Sequence, residues 1–546
     1  MHVFEVVIAL LLGGAALAAL ARRIATPYPA LVALAGAALA LVPGTPTLVL
    51  DPELALALFV APVLLDAAFD ASPRDLRANW RPVAGLALGA VALTIVTVAV
   101  VAHALVPGMP WAAAVALGAI VSPPDAAAAT AVLKQLRPPH RLLVILEGES
   151  LFNDASALLV YRLAVGATVG GLVVGWNVLP MLLLVTAGSA VLGLALSRVV
   201  LFVTARIHDV ATAVIVQFCG TFGVWILAER LHLSGILTTV IFAMASARVA
   251  SDVIPARIRI PSYAVWEVAV FVLNVLAFIL IGFQLKAITA RLDRATLVEY
   301  LWVAIAVCAA TILARIAWVT GVAAFSRWRC RPRPDGTPGP NDTIALSPRA
   351  AALVGWCGMR GIVTLAAALA LPTGGEGGAP FPHRDLILFT AFAVVVGTLV
   401  LQGLTLRPLL TRLRLEDDGA VDREVRLARV ATLRAALSAA AAFPGTETAT
   451  LLRRRYELQL RRAEAELGGA AVNGGDGLPD GATGLPGTLA ADTHLVRAAT
   501  AAERQRLSSL RADGTIGDAA FQQVEQELDW AELDLEQLLR PEQPAR

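Results

Sequence analysis

Thirteen separate stretches of roughly 20 apolar residues recur between residues 3 and 408, and this repetition limits the fold more than any motif does. Each is about the length an α-helix needs to cross a hydrocarbon layer roughly 30 Å thick. Inside such a layer every backbone amide and carbonyl must be bonded within its own segment, so the stretches are expected to be helices. They fall near 3–21, 28–43, 53–71, 83–106, 111–133, 142–168, 172–204, 209–229, 233–250, 264–285, 298–325, 349–371 and 384–408. Of the 546 residues 57% are hydrophobic and only 16% charged, so the sequence reads as an all-α polytopic membrane protein seated in a lipid bilayer. The first run has no basic residues ahead of it and is followed by Arg22 and Arg23, the pattern of a span rather than of a cleaved leader.

Loop charge gives an orientation, because cytoplasmic loops hold the excess of Lys and Arg. One alternate set of loops carries Arg22, Arg23, Arg74, Arg77, Arg81, Lys134, Arg137, Arg141, Arg198, Arg206, Arg248, Arg257, Arg259, Arg327, Arg329, Arg331 and Arg333. The other carries only Arg230, Lys286, Arg291, Arg294 and Arg384. A missed or invented helix would scramble that alternation. The N-terminus is therefore expected outside and the C-terminus in the cytoplasm.

Several function classes drop out. A net charge of +2 gives no dense basic face for a nucleic acid. Cys219, Cys308, Cys330 and Cys357 are scattered without CxxC spacing, so neither a disulfide framework nor a zinc site is indicated. There is no HExxH motif and no Ser/His pair at a common depth, which argues against an intramembrane enzyme.

Two spans carry backbone breakers at mid-depth, the fifth in Ser122-Pro-Pro-Asp125 and the twelfth in Gly355-Trp-Cys-Gly-Met-Arg-Gly361. Proline removes an amide donor and glycine weakens a helix; in hydrocarbon such backbone persists only where it lines a cavity. The two spans run in opposite directions, as inverted repeats with two crossed, interrupted helices would require. The membrane part is placed at 1–410 and a cytoplasmic helical tail at 411–546. In the tail Asp422–Leu437 and Thr446–Leu467 read as charged helices, 468–493 as a linker, and Val496–Leu539 as a further helix with Asp518 as its N-cap. Phe521, Val524, Leu528, Ala531, Leu535 and Leu538 recur there at helical spacing, which predicts a packing face.

The sixth span holds Glu147-Gly-Glu-Ser-Leu-Phe-Asn-Asp154, and acids at that depth mark ion or proton handling. At 100° per residue Glu147, Ser150 and Asp154 share a face, whereas Glu149 points roughly 140° away from Asp154. Glu149 therefore addresses a different helix, and Arg360 is the expected partner. Asp125, the carbonyls freed by the prolines, Ser150 and Asp154 make a hard oxygen set suited to an alkali cation, with no soft ligand or histidine beside them for a transition metal. Burial disfavours the charged form of a carboxylate and a bound cation restores it, so proton and cation would compete for one group. With Asn153 neutral beside Asp154, one proton would exchange for one monovalent cation.

These blocks, with Ala228-Glu-Arg-Leu-His-Leu-Ser-Gly-Ile-Leu237, Trp266-Glu267, Ile281-Gly-Phe-Gln-Leu285 and Gly358-Met-Arg-Gly361, resemble the NhaP type of bacterial sodium/proton antiporter over residues 1–410. The resemblance implies a homodimer in the bacterial cell membrane whose core part moves as an elevator against a dimerisation part. It implies that Na+, or Li+ or K+, binds at Asp154, Asp125 and Ser150, with Asn153 assisting. It also implies a structural ion pair between Glu149 and Arg360, and no cofactor beyond the transported ions. Two positions depart from the family pattern. Pro124 stands where a threonine ligand is common, and Asp66 where a glutamate near the site is common. The alternative reading is a cation channel or conductance regulator gated by the tail.

Overall fold

The computed structural model describes residues 2–24, 26–43, 52–125, 128–130, 133, 138–169, 178–289, 292–329, 346–373, 381–415, 417–443, 447–467 and 489–538. Among them every regular element is helical. Lys134, Arg137, Arg291, Cys330, Arg331, Arg333 and most of the expected linker lie outside the described residues.

The chain opens with α1 (His2–Ile24) and α2 (Tyr28–Ala40), followed by α3 over 52–70, which carries a π-helical turn at Leu56–Val60. The short α4 (Pro73–Ala78) is capped by Ser72, whose hydroxyl accepts the Asp75 amide at 3.2 Å. Next come α5 (Trp80–Leu105), α6 (Trp111–Val121), α7 (His140–Val169), α8 (Val178–Thr204), α9 (Val210–Arg230) and α10 (Gly235–Val253). They are followed by α11 (Ala256–Thr289), α12 (Arg294–Arg329), α13 (Pro348–Trp356), α14 (Ile362–Leu369) and α15 (Arg384–Leu413). Seven of the described helices are long and apolar enough to cross a membrane by length and composition.

The backbone breakers act where the sequence places them. Helix α6 stops at Val121 and residues 122–125 leave helical geometry; α13 stops at Trp356 and α14 starts only at Ile362. The tenth apolar run, expected over 264–285, is part of a helix of 34 residues. At 1.5 Å per residue that helix is about 50 Å long, so its first turns reach past the apolar layer. It packs on α2 with almost no side chain between the backbones. A Cβ on Gly282 would lie 2.3 Å from the Ala37 nitrogen, and one on Gly36 would lie 2.5 Å from the Ile279 carbonyl. Small residues allow this approach, the usual means by which helices associate where water cannot drive them together.

Beyond α15 the tail folds as α16 (Ala420–Ala441), α17 (Glu447–Leu467), α18 (Leu489–Ala512) and α19 (Asp518–Leu538). The expected single helix 496–539 is two helices. The chain turns at 513–517, where Gly514 takes φ +76° and the Asp513 carboxylate accepts the Thr515 amide at 3.0 Å. Helix also resumes at Leu489, inside the region read as linker. Phe521, Val524 and Leu528 do pack, against Val425, Leu507 and Leu510; the Leu535 and Leu538 side chains lie outside the described ones.

Asp518 does not act as the N-cap. It is the first helical residue of α19, and its carboxylate accepts the Ser72 hydroxyl at 2.7 Å and Arg511 Nε at 2.6 Å. That contact fixes the tail to the α3–α4 corner. A second contact is made by Arg259, only 4% exposed near the start of α11. Its Nε and Nη2 donate to Asp529 at 2.7 and 2.5 Å, and its Nη1 lies 3.1 Å from Glu525.

Candidate functional site at the crossing of two interrupted helices

Proline at 123 and 124 withholds two amides and frees carbonyls that must find other donors. The break at 357–361 and the neighbouring helices supply them. The Asp125 amide donates to the Met359 carbonyl at 2.7 Å, the Asn153 side-chain amide donates to the Pro124 carbonyl at 2.9 Å, and the Arg360 guanidinium donates to the Ser122 carbonyl. The Arg360 amide in turn donates to the Thr398 hydroxyl on α15 at 3.0 Å. The two irregular stretches thereby satisfy one another, the condition under which such backbone survives away from water.

Their closest approach is at Gly361, where a Cβ would fall 1.8 Å from Asp125 Oδ2. Only a residue without a side chain fits there, so the Asp125 carboxylate rests on the start of α14. Beside it is a cavity of about 50 Å³, lined by Asp125, Ser150, Asp154 and Thr364, by Phe59 and Val60 of the π-helical turn, and by Asn274 of α11. That volume holds roughly three waters, enough for a small ion that keeps part of its shell. Asp154 is 6% exposed and Asn153 is fully buried. Asp125, Ser150 and Asp154 therefore share one chamber, while Asn153 stands behind it and holds Pro124 in place.

Two expected placements are corrected. Glu149 does not pair with Arg360; both of its oxygens take Nη1 and Nη2 of Arg315 on α12, the second at 2.8 Å. Arg315 also donates to the Val354 carbonyl at the end of α13, at 3.1 and 3.3 Å. The exchange of partners is steric, since Gly358 leaves the room that Arg315 occupies, and a Cβ there would lie 2.6 Å from Arg315 Cδ. Arg360 is committed instead to the Ser122 carbonyl, and its charge acts on Asp154.

Asp66 is not on the chamber wall. It lines a separate cavity of about 120 Å³ on the tail side, together with Asp70, Arg259 and Tyr263. On the opposite side a cavity of about 580 Å³ begins at Ala155 and runs past Tyr161 and Arg162. Across it Arg162 on α7 bonds Glu229 on α9 at 3.0 and 3.2 Å.

Sequence reasoning passed over Thr364 and Thr398 and did not name Arg315 as the partner of Glu149. Gly358 and Gly361 were the available signal, since glycines flanking a buried Arg mark positions where another side chain must enter.

Residues 6–412 match the family described as sodium/hydrogen exchanger, transmembrane. An uncharacterised Na+/H+ exchanger of Mycobacterium bovis is 33% identical over 430 residues, covering 77% of this chain and 76% of that one. A sodium, potassium, lithium and rubidium/H+ antiporter of Bacillus pumilus is 31% identical over 394 residues, covering 69% of this chain and 56% of that one. In three dimensions the chain resembles the sodium proton antiporter MjNhaP1 of Methanocaldococcus jannaschii, with a TM-score of 0.57 at 17% identity over 76% of this chain and 99% of that one. Matched from residue 6 to residue 412 and built around two interrupted stretches that meet over Asp125 and Asp154, the chain belongs to the sodium/hydrogen exchanger family.

Proposed function

We propose that the protein exchanges one monovalent cation, Na+ first and Li+ or K+ by the same chemistry, for one proton, with both competing for Asp154 and Asp125. The observation that carries this reading is that the two carboxylates line one small chamber closed by irregular backbone. A proton needs only one carboxylate oxygen. A cation needs several oxygens at once, which Asp125, Ser150 and Asp154 supply together.

Charge counting supports one-for-one exchange. Glu149 and Arg315 cancel each other, so the chamber is governed by two aspartates and Arg360, which leave one net negative charge. Either a single Na+ or a single proton brings that to zero. The loaded forms can then cross the apolar barrier while the empty form carries an uncompensated charge, which is costly at that depth. Coupling follows from this penalty. The same count predicts exchange that does not respond to membrane potential.

We further propose the arrangement common to the type: thirteen spans in inverted repeats, a homodimer in the bacterial cell membrane, the N-terminus outside and the tail in the cytoplasm. In that orientation the large cavity at Ala155 faces outward and the Asp66 cavity faces the cytoplasm, with Asp66 and Asp70 lining the inner approach. Alternate opening of the chamber to these two cavities constitutes the transport cycle. The channel alternative is not favoured, because the matched relatives are named as exchangers and antiporters. The test is proton flux in proteoliposomes driven by a Na+ gradient. Asp154→Asn is expected to abolish it, and full exchange by that variant would falsify the reading.

A further inference from the structure

Thr364 stands in the first turn of α14 and lines the chamber with Ser150 and Asp154, which α7 contributes. It is 1% exposed, and its hydroxyl meets no hydrogen-bond partner among the described residues. A threonine inside a helix ordinarily donates to the carbonyl four residues back. Thr94, Thr168 and Thr311 do so here at 2.7 to 2.8 Å. For Thr364 that carbonyl would belong to Arg360, which lies in the interruption, beyond an extended Gly361 at φ −127° and ψ −153°. The hydroxyls of Thr204, Thr238, Thr239 and Thr390 also lack partners among the described residues, but of these five threonines only Thr364 lines the chamber.

The other interrupted stretch lines the chamber with Pro123, Pro124 and Asp125 and brings it no hydroxyl. Pro124 offers only a carbonyl, and that already accepts the Asn153 amide at 2.9 Å. We propose that the Thr364 hydroxyl is a ligand of the transported cation, supplying from α14 a hydroxyl oxygen that Pro124 cannot. This rests on the exchanger reading above. Because a proton sits on one carboxylate oxygen and needs no hydroxyl, Thr364 weighs on the cation and not on the proton.

The experiment is Na+/H+ exchange in proteoliposomes by the native protein and by Thr364→Val, Thr364→Ala and Thr364→Ser, each over a range of Na+ concentration and pH. Valine keeps the shape and removes the hydroxyl, alanine guards against misfolding from the valine methyl, and serine restores the oxygen. Thr364→Val and Thr364→Ala are expected to raise the KM for Na+ by roughly fivefold to tenfold, the scale of one lost neutral contact, at every pH tested. The maximal rate, and the pH at which protons double KM, should stay at native values. Thr364→Ser should return KM to within about twofold of native. An unchanged KM in both hydroxyl-free variants, or a serine variant that behaves like valine, would overturn the assignment. A packing role would instead lower the maximal rate and the folded yield in parallel. Failure of the native protein to exchange at all would count against the exchanger reading itself, so the two outcomes stay separate.

Discussion

Two acids five residues apart on α7 have opposite fates. Asp154 opens into the chamber, while Glu149 is clamped by Arg315 with both groups about 2% exposed. Removing one partner of a buried pair strands the other charge, and such breaks cost about 3 to 5 kcal/mol. Glu149→Ala and Arg315→Ala are therefore each expected to reduce folded yield and thermal stability in detergent by comparable amounts, whereas Arg360→Ala should leave the Glu149 pair intact. Equal thermal stability of Arg315→Ala and the native protein would refute this pairing. The helical offset between positions 149 and 154 was legible in the sequence, and so was the separation of their duties. The partner was not, because it depends on how α12 packs against α7 and α13, which no local pattern encodes. Asp66 was misplaced for a related reason. The resemblance put an acid of this span near the site, but in the regular helix Ala61–Asp70 Asp66 points about 200° away from Leu64, which lines the chamber.

At the scale of elements, the meeting of the two interrupted stretches is tightly constrained. The prolines and glycines announced where helical geometry is lost, at 122–125 and 357–361. The register between the breaks did not follow, since it is set by the bonds from Asp125 to Met359 and from Arg360 to Ser122. Gly361→Ala probes that register. The added methyl would sit 1.8 Å from Asp125 Oδ2, so the carboxylate must move or α14 must retreat. Displacements of about 1 Å at a reacting group can cost on the order of 100-fold in rate, and a loss of that size is expected in cation-dependent proton flux. The protein should still fold, because the rest of each helix is undisturbed. Native flux from Gly361→Ala would show that the approach is looser than drawn.

For the whole molecule, the tail is a folded unit fastened to the membrane part at Ser72 and Arg259. Its helical character and its apolar stripe were readable; its docking was not, because both anchors depend on residues hundreds of positions away. Glu525 sits at the contact among Arg259, Tyr263, Asp529, Arg504 and Arg511, and burial pushes its carboxyl up to about 7 despite the neighbouring arginines. Glu503, inside the tail beside Tyr456, is also raised by burial to about 7. A raised carboxyl means that the docked form holds a proton the loosened form releases, so docking is strongest at low pH. That advantage fades as pH climbs from the ordinary carboxylate range to about 7, at about 1.4 kcal/mol per unit of difference. Hydrogen exchange at the amides of 518–533, corrected for its intrinsic pH dependence, is expected to be faster at pH 8 than at pH 5.5, and Glu525→Gln should flatten part of the change. Slower corrected exchange at pH 8 would reverse the sign and remove the argument.

Helix α11 borders the ion chamber at Asn274 and grips the tail at Arg259, with roughly 22 Å of continuous helix between them. A single helix spans the distance, with Pro261 removing one amide donor two residues past the tail contact. Displacing the tail at Arg259 would therefore load the same rod that walls the chamber, like the throw of a bolt through a door.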